Sequence, residues 1–282
     1  MKVEKAIIST AGYGTRRLPI TKTIDKNMLP IGNRPVIDYV VEECVLAGIK
    51  DIYLVVNDAK NGQIKAYYGE NILLEEFLQA RGAKEKLAKL RTAPKNVRLH
   101  YVEQNVNDRY GTSVPVTLVV EQFKLNEHVV LCNGDDPFWG AKDGSDVKTL
   151  IEGIKSEDES AIMGYEVLKT EVPKYGMLEK NAADMLTGVI EKPSLDKVTS
   201  TLVNLNRLIM SPALFEVIVE YTNSHHFNPK DQEYMLTDGY SEYLKRGGKM
   251  RVVPSTGKWL DCGSLEGWLN ANNVVYASSS TK

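Results

Sequence analysis

Several common anchoring devices are scarce in this chain. Its 282 residues hold three cysteines, Cys44, Cys132 and Cys262. They stand far apart and form no CxxC pair, which excludes a disulfide-stapled fold and fits a reducing cytoplasm. Cys44 and Cys132 lie in apolar runs and read as packing residues. No run of about 18 apolar residues occurs, so no membrane span is expected. The opening MKVEKAIIST has too short an apolar stretch for a signal peptide. Net charge is also small: 35 Lys and Arg stand against 37 Asp and Glu, a formal −2. That removes any global pull toward nucleic acid or an anionic membrane. An anion site must therefore be built locally, from placed Lys, Arg and backbone N–H groups. Histidine is rare, at four residues. His225 and His226 fall in a polar stretch with Asn223 and Asn228 and show no ligand spacing. No Ser-His-Asp or Cys-His arrangement, internal repeat or low-complexity linker is visible.

What the chain does have is an ordinary globular balance, 43% hydrophobic and 26% charged, and a regular strand–helix alternation. Ala6-Ile7-Ile8, Asp51 to Val56, Val97 to Val102 and Val129 to Cys132 read as buried strands. Val36 to Ala47 has helical apolar spacing stopped by Gly48. Residues from about 60 to 91 read as helical. So does Thr112 to Gln122, with Pro115 in its first turn. The second half is less regular. It shows strand signals at Ala161–Val167, Met185–Ile190, Leu202–Ile209 and Lys249–Val253. Helix signals follow at Pro212–Tyr221, Met235–Arg246 and Leu265–Tyr276. The pattern predicts a Rossmann-like α/β fold: a mostly parallel mixed sheet with helices on both faces. Ligands of such sheets bind beyond the carboxyl ends of the strands. We expect one domain in two lobes, divided near residue 135, with a small polar, flexible tail over residues 277–282.

The densest chemical signal follows the first strand: Ala11-Gly12-Tyr13-Gly14-Thr15-Arg16-Arg17-Leu18-Pro19. Its glycines allow positive φ and close approach of backbone N–H groups to phosphate oxygens. Arg16, Arg17, Lys22, Lys26 and Arg34 make the loop locally positive, interrupted only by Asp25. It is not a dinucleotide loop, because Arg17 stands where a third glycine is required. Nor is it a Walker loop, since no Gly-Lys-Ser/Thr follows. Asp135 and Asp136 end a buried strand and are hard oxygen donors suited to Mg²⁺ on phosphates. Asp261, between a strand and a helix, is a second such carboxylate; alone it reads as an N-cap. Lys192, in Glu191-Lys192-Pro193, reads alone as a surface lysine.

In this order the pieces resemble the sugar-nucleotide pyrophosphorylase family across nearly the whole chain. Gly12-Tyr13-Gly14-Thr15-Arg16-Arg17-Leu18-Pro19-Ile20-Thr21-Lys22 and Lys26-Asn27-Met28-Leu29-Pro30-Ile31 are similar to its signature. Gln104, Gly134-Asp135, Tyr175-Gly176, Glu191-Lys192-Pro193, Leu236-Thr237-Asp238 and Asp261-Cys262-Gly263 agree with it. The resemblance implies a GT-A-like nucleotidyltransferase fold. It implies formation of UDP-glucose and pyrophosphate from UTP and glucose 1-phosphate. Transfer from dTTP, or non-catalytic binding of a nucleotide sugar, is the alternative. Arg16, Lys26 and Lys192 would act on phosphates. Ala11, Gly12, Gly14, Thr15, Gln104, Gly111 and Asp135 would bind nucleotide. Gly176, Glu191 and Asn204 would face the sugar, and Asp135 and Asp261 would hold Mg²⁺. Residues to about 135 would form the nucleotide lobe and about 136–276 the sugar-phosphate lobe. A cytoplasmic homodimer or homotetramer is implied. The chain departs from the family pattern at Asp25, where proline is frequent. It departs again at Cys132-Asn133-Gly134-Asp135 and at Arg109 to Val114.

Overall fold

The computed structural model describes residues 2–57, 61–90, 92–105, 109–227 and 232–279. Its core is a nine-stranded mixed sheet. The strands are β1 Lys5–Ser9, β2 Asp51–Asn57, β3 Arg98–Gln104, β4 Val129–Asn133, β5 Glu159–Glu166, β6 Gly176–Lys180, β7 Leu186–Glu191, β8 Leu202–Met210 and β9 Lys249–Pro254. The main path runs β7-β6-β8-β4-β1-β2-β3, and β8 also pairs with β5, which carries β9. Strands β3, β2, β1 and β4 are parallel, as are β5 and β9. Strand β8 lies antiparallel to β4, β5 and β6, and β6 to β7. The expected Rossmann-like sheet is present.

Its strands read as continuous apolar runs because both faces are covered. Ala6 and Ile8 of β1 point into one apolar layer, with Ile52, Leu54 and Val56 of β2; Ile7, Tyr53 and Val55 point into the other. Helices Val36–Leu46 and Asp146–Gly153 close the first layer. Helices Val114–Phe123, Pro212–Ser224 and Leu236–Lys245 close the second. A third cluster seats the last helix, Leu265–Ser279, through Ala271 and Val275, against Ile31 and Val36.

The long helix expected over 60–91 is three: Asn61–Tyr68, Ile72–Ala80 and Lys84–Leu87. Residues 58–60 and 91 lie outside the described residues. Asn71 restarts the helix by accepting from the Leu74 N–H at 3.1 Å, and Gly82 turns the chain out with φ 61°. Of the strands of the main sheet and the α-helices among the described residues, β6 and the helix Asp146–Gly153 were not anticipated. The last helix reaches Ser279, three residues into the polar tail; residues 280–282 lie outside the described residues, as does Asn228. Among the described residues no helix is long and apolar enough to cross a membrane.

Candidate active site

The parallel strands deliver the glycine-rich loop and the acidic turn to one edge. Thr10 donates to the Val55 carbonyl through its N–H at 2.9 Å and its hydroxyl at 2.7 Å. The Asn57 amide donates to the Ala11 carbonyl at 3.1 Å, and the Gly134 N–H to the Ser9 carbonyl at 2.9 Å. Beyond these strand ends lies a cavity of about 210 Å³. Ala11, Gly12, Arg16, Lys26, Gln104, Gly111, Asp135 and Asp261 line it. Larger grooves, of about 810–880 Å³, hold none of the predicted site residues.

Inside the cavity the Lys26 ammonium donates to Asp135 Oδ2 at 2.7 Å. Burial opposes its charge, but Asp135, then Asp136 and Asp25, outweigh this and its pKa is raised. Lys26 is thus held as a cation, as a phosphate contact requires. Beside it, burial first and the Asp135 charge second push the Asp136 carboxyl up to about 6. Two neutral donors hold its oxygens: the Trp259 indole N–H at 3.1 Å and the Asn133 amide at 3.0 Å. Also lining the cavity, Asp261 accepts from the Gly263 N–H at 3.0 Å and the Ser264 hydroxyl at 3.3 Å. The N-cap role read for Asp261 alone falls to Ser264, whose hydroxyl accepts from the Gly267 N–H at 3.1 Å. Arg16 lies over Gly263: a Cβ there would sit 2.8 Å from its Nη2.

Of the five cations in the basic loop, only Arg16 and Lys26 line the cavity. Arg17 turns inward, donating to the Ser264 carbonyl at 2.6 Å with its guanidinium 4.8 Å from the Trp268 ring. Arg34 pairs with Asp38 and Glu42, and Lys22 is exposed away from the cavity. Gly14 and Thr15 do not line it either. Gly14, at φ 70°, passes so close to Lys26 that a Cβ would meet the lysine Cβ at 3.0 Å. Its contribution is to the path of the loop.

The three residues expected at the sugar, and Lys192 expected on its phosphate, do not line this cavity and lie around the β6–β7 hairpin. Gly176 and Glu191 face each other in register, and a Cβ on Gly176 would meet the Glu191 carboxylate at 2.7 Å. Lys192 is exposed, at φ 44°, with its N–H on the Tyr175 carbonyl at 3.0 Å. Asn204 bonds the Tyr240 hydroxyl. Tyr175 links hairpin and cavity: its ring stands 5.4 Å from that of Trp259, which holds Asp136.

Sequence reading missed Tyr110, Thr112 and Glu233 on the cavity wall. Two distant segments zip together there. Tyr234 donates to the Tyr110 carbonyl and Ser113 to the Tyr234 carbonyl, both at 3.0 Å, and Leu236 to the Thr112 hydroxyl at 2.8 Å. Gly111, at φ 141°, makes this possible, since a Cβ would lie 2.3 Å from the Tyr234 carbonyl oxygen.

The donor set suits one hard divalent ion. Asp135 and Asp261 come from distant segments to one cavity. Among the described residues no three His, Cys, Asp or Glu side chains are grouped to hold a metal unaided. Mg²⁺ commonly takes one or two carboxylates and fills its shell with phosphates and water.

Comparison with known proteins identifies the family. The profile of the family described as "Nucleotidyl transferase" matches residues 5–278. The UTP–glucose-1-phosphate uridylyltransferase of Streptococcus pyogenes is 34% identical over 283 residues, covering 98% of this chain and 89% of that one. An apo UDP-glucose pyrophosphorylase crystal structure superposes with a TM-score of 0.87 at 28% identity, covering 99% and 100% of the two chains. A UDP-glucose pyrophosphorylase complexed with UDP-glucose superposes at 0.79 and 27% identity, covering 98% and 100%.

Proposed function

Because the chain belongs to the nucleotidyl transferase family, we propose that it is a Mg²⁺-dependent uridylyltransferase converting UTP and glucose 1-phosphate to UDP-glucose and pyrophosphate. The observation that carries this reading is one cavity in which Lys26 and Arg16 stand beside Asp135 and Asp261. Relatives that share nearly the whole chain carry names for this activity, and one solved neighbour holds UDP-glucose.

An oxygen of the sugar phosphate attacks the α-phosphorus of UTP, and pyrophosphate leaves in line. The attacker is already an anion, so no protein nucleophile is needed; among the described residues no cysteine or histidine lines the cavity. The barrier is the approach of like charges and the shift of charge to the leaving group. Arg16 and Lys26 neutralise the leaving pyrophosphate, and Lys192 aligns the sugar phosphate. Mg²⁺ held by Asp135 and Asp261 would supply charge neutralisation on phosphate oxygens. Ala11 and Gly12 contact the nucleotide through backbone groups, Gln104 reads the pyrimidine edge and Gly111 lies near the base. Gly14 and Thr15 shape the loop. Gly176, Glu191 and Asn204 take the sugar hydroxyls. In this reading residues to about 135 bind nucleotide and about 136–276 bind sugar phosphate, with Asp261 and Glu233 reaching across to the nucleotide cavity. Three buried free thiols fit a reducing cytoplasm. A homodimer or homotetramer is the proposed working form; Leu265, Leu269 and Tyr276 expose apolar surface on the last helix.

A matrix of nucleoside triphosphates against sugar 1-phosphates, scored by pyrophosphate release with Mg²⁺, tests the reading. UTP with glucose 1-phosphate should turn over fastest. Faster turnover with dTTP, or no pyrophosphate from any pair, overturns it. In the same assay Lys26→Ala should lower kcat by roughly 10²- to 10³-fold while retaining sugar-phosphate binding.

A further inference from the structure

The bulkiest of the fully buried side chains is an arginine that the proposed reaction does not use, Arg207. It sits in β8 where the register against β5 slips between Asn204 and Leu208 and Asn206 turns to φ 50°. One arm of its guanidinium pairs with the Glu43 carboxylate; the two side chains are 2% and 5% exposed. The other arm, Nη2, donates to the Asp136 carbonyl at 2.8 Å. The guanidinium lies 4.6 Å from the Phe138 ring centroid. Glu43 is itself held, its second oxygen accepting from the Val147 N–H at 3.0 Å. The guanidinium therefore joins helix Val36–Leu46 and, through Glu43, helix Asp146–Gly153 to the turn that carries Asp135.

That turn is gripped from two sides. From β4, the Asn133 amide donates to the Leu205 carbonyl in the slipped segment at 3.3 Å. From the segment leading to Asp261, the Leu260 N–H donates to the Pro137 carbonyl at 3.0 Å and the Trp259 indole to Asp136 Oδ1 at 3.1 Å. Residues 136 and 137 are thus the junction between the two aspartates. A buried ion pair is weak evidence for a stability role, because apolar residues of similar volume often replace one without loss. An apolar pair cannot hold the Asp136 carbonyl.

We infer that Arg207 is a positioning residue that sets where Asp135 and Asp261 stand relative to each other in the cavity. This rests on the reading of those two aspartates as the holders of the divalent ion. The rigid, planar fork of arginine reaches Glu43 and the Asp136 carbonyl together; a lysine ammonium is a point charge that serves one of them.

Two variants separate this role from folding. Arg207→Lys keeps the positive charge opposite Glu43 and gives up the fork. The double variant E43Q/R207M removes both charges, so neither is left alone in the core. Three quantities are measured on the full chain: Mn²⁺ affinity of the protein–UTP complex by paramagnetic resonance, UTP affinity without metal, and kcat. Both variants should lose about 10- to 100-fold in Mn²⁺ affinity and in kcat, as for other groups that orient metal ligands. Metal-free UTP affinity should stay within about twofold of the parent. A merely structural role would lower the melting temperature and leave Mn²⁺ affinity unmoved. Asp135→Asn is the reference. If it binds Mn²⁺ as the parent does, the metal reading itself fails. If it is impaired while the Arg207 variants bind Mn²⁺ and turn over as the parent does, the inference about Arg207 is overturned and the metal reading stands. Should the double variant not fold, Arg207→Lys decides by the same measurements.

Discussion

Lys26 reaches the cavity because the residue before it caps its turn. Asp25 is 1% exposed, and its Oδ1 accepts from the Asn27 N–H at 2.8 Å and the Asn27 amide at 2.7 Å. The departure from proline at this position replaces a fixed φ with a side-chain acceptor, and the carboxylate adds to the charges that keep Lys26 protonated. Asp25→Ala should therefore lower stability by about 1 kcal/mol, the usual loss for a cap, in urea melts. It should also lower kcat more than it raises KM for UTP. Gly111→Ala makes a different demand. Its Cβ would meet backbone, not a side chain that can swing away. The strap between residues 110–113 and 234–236 must open, and KM for UTP should rise about 10-fold or more while KM for glucose 1-phosphate holds. Steady-state kinetics with each substrate varied checks this. Glu233 was not legible as a site residue, because no local spacing ties it to position 111.

At the level of elements, the parallel strands were legible for a physical reason. Burial on both faces leaves all of β2, Asp51–Asn57, buried around the apolar run Ile52 to Val56, and such runs stand out in any sequence. The short β6 was not, since only Met177 and Leu178 of its five residues are buried. The helix Asp146–Gly153 carried a usable sign in Ser145, whose hydroxyl accepts from the Lys148 N–H at 3.0 Å. The loops at the carboxyl strand ends revealed the phosphate side of the site, because glycine and basic residues cluster there. The hairpin with Glu191 was reached through resemblance, as its chemistry has no local pattern. The opposite strand ends have their own electrostatic tie. Asp51 accepts from Arg98 at 2.6 and 2.7 Å and bonds His100 at 2.8 Å. Its pKa falls to about 2, with Arg98 the largest cause. The sign follows: a depressed folded-state value stabilises above the unfolded pKa of about 4 and is lost as pH falls through about 2. With Arg98 74% exposed, solvent screening limits the gain to about 1 kcal/mol. Asp51→Asn should show that deficit near pH 7, and its melting curve should merge with the parent's as pH drops from about 4 to 2.

Over the whole molecule, the cavity wall is assembled from the first strand, the turn after β4, the segment near Tyr234 and the entry to the last helix. A ligand that spans these pieces binds the folded chain alone and stabilises it by mass action. UTP with Mg²⁺ at about 100 times its Kd should add about 2.7 kcal/mol, raising the melting temperature by about 5 °C. The double variant D135N/D261N should lose the increment due to Mg²⁺ and keep part of that due to UTP.

Trp259 stands edge-on to Tyr165 and Tyr175, with ring centroids at 5.8 and 5.4 Å, and its N–H is committed to Asp136. An indole so placed is a native optical probe. A cation arriving beside Asp136 changes the field along the ring, so intrinsic emission should shift on titration with Mg²⁺ and UTP, and the shift should vanish in Trp259→Phe while Trp139 and Trp268 still emit.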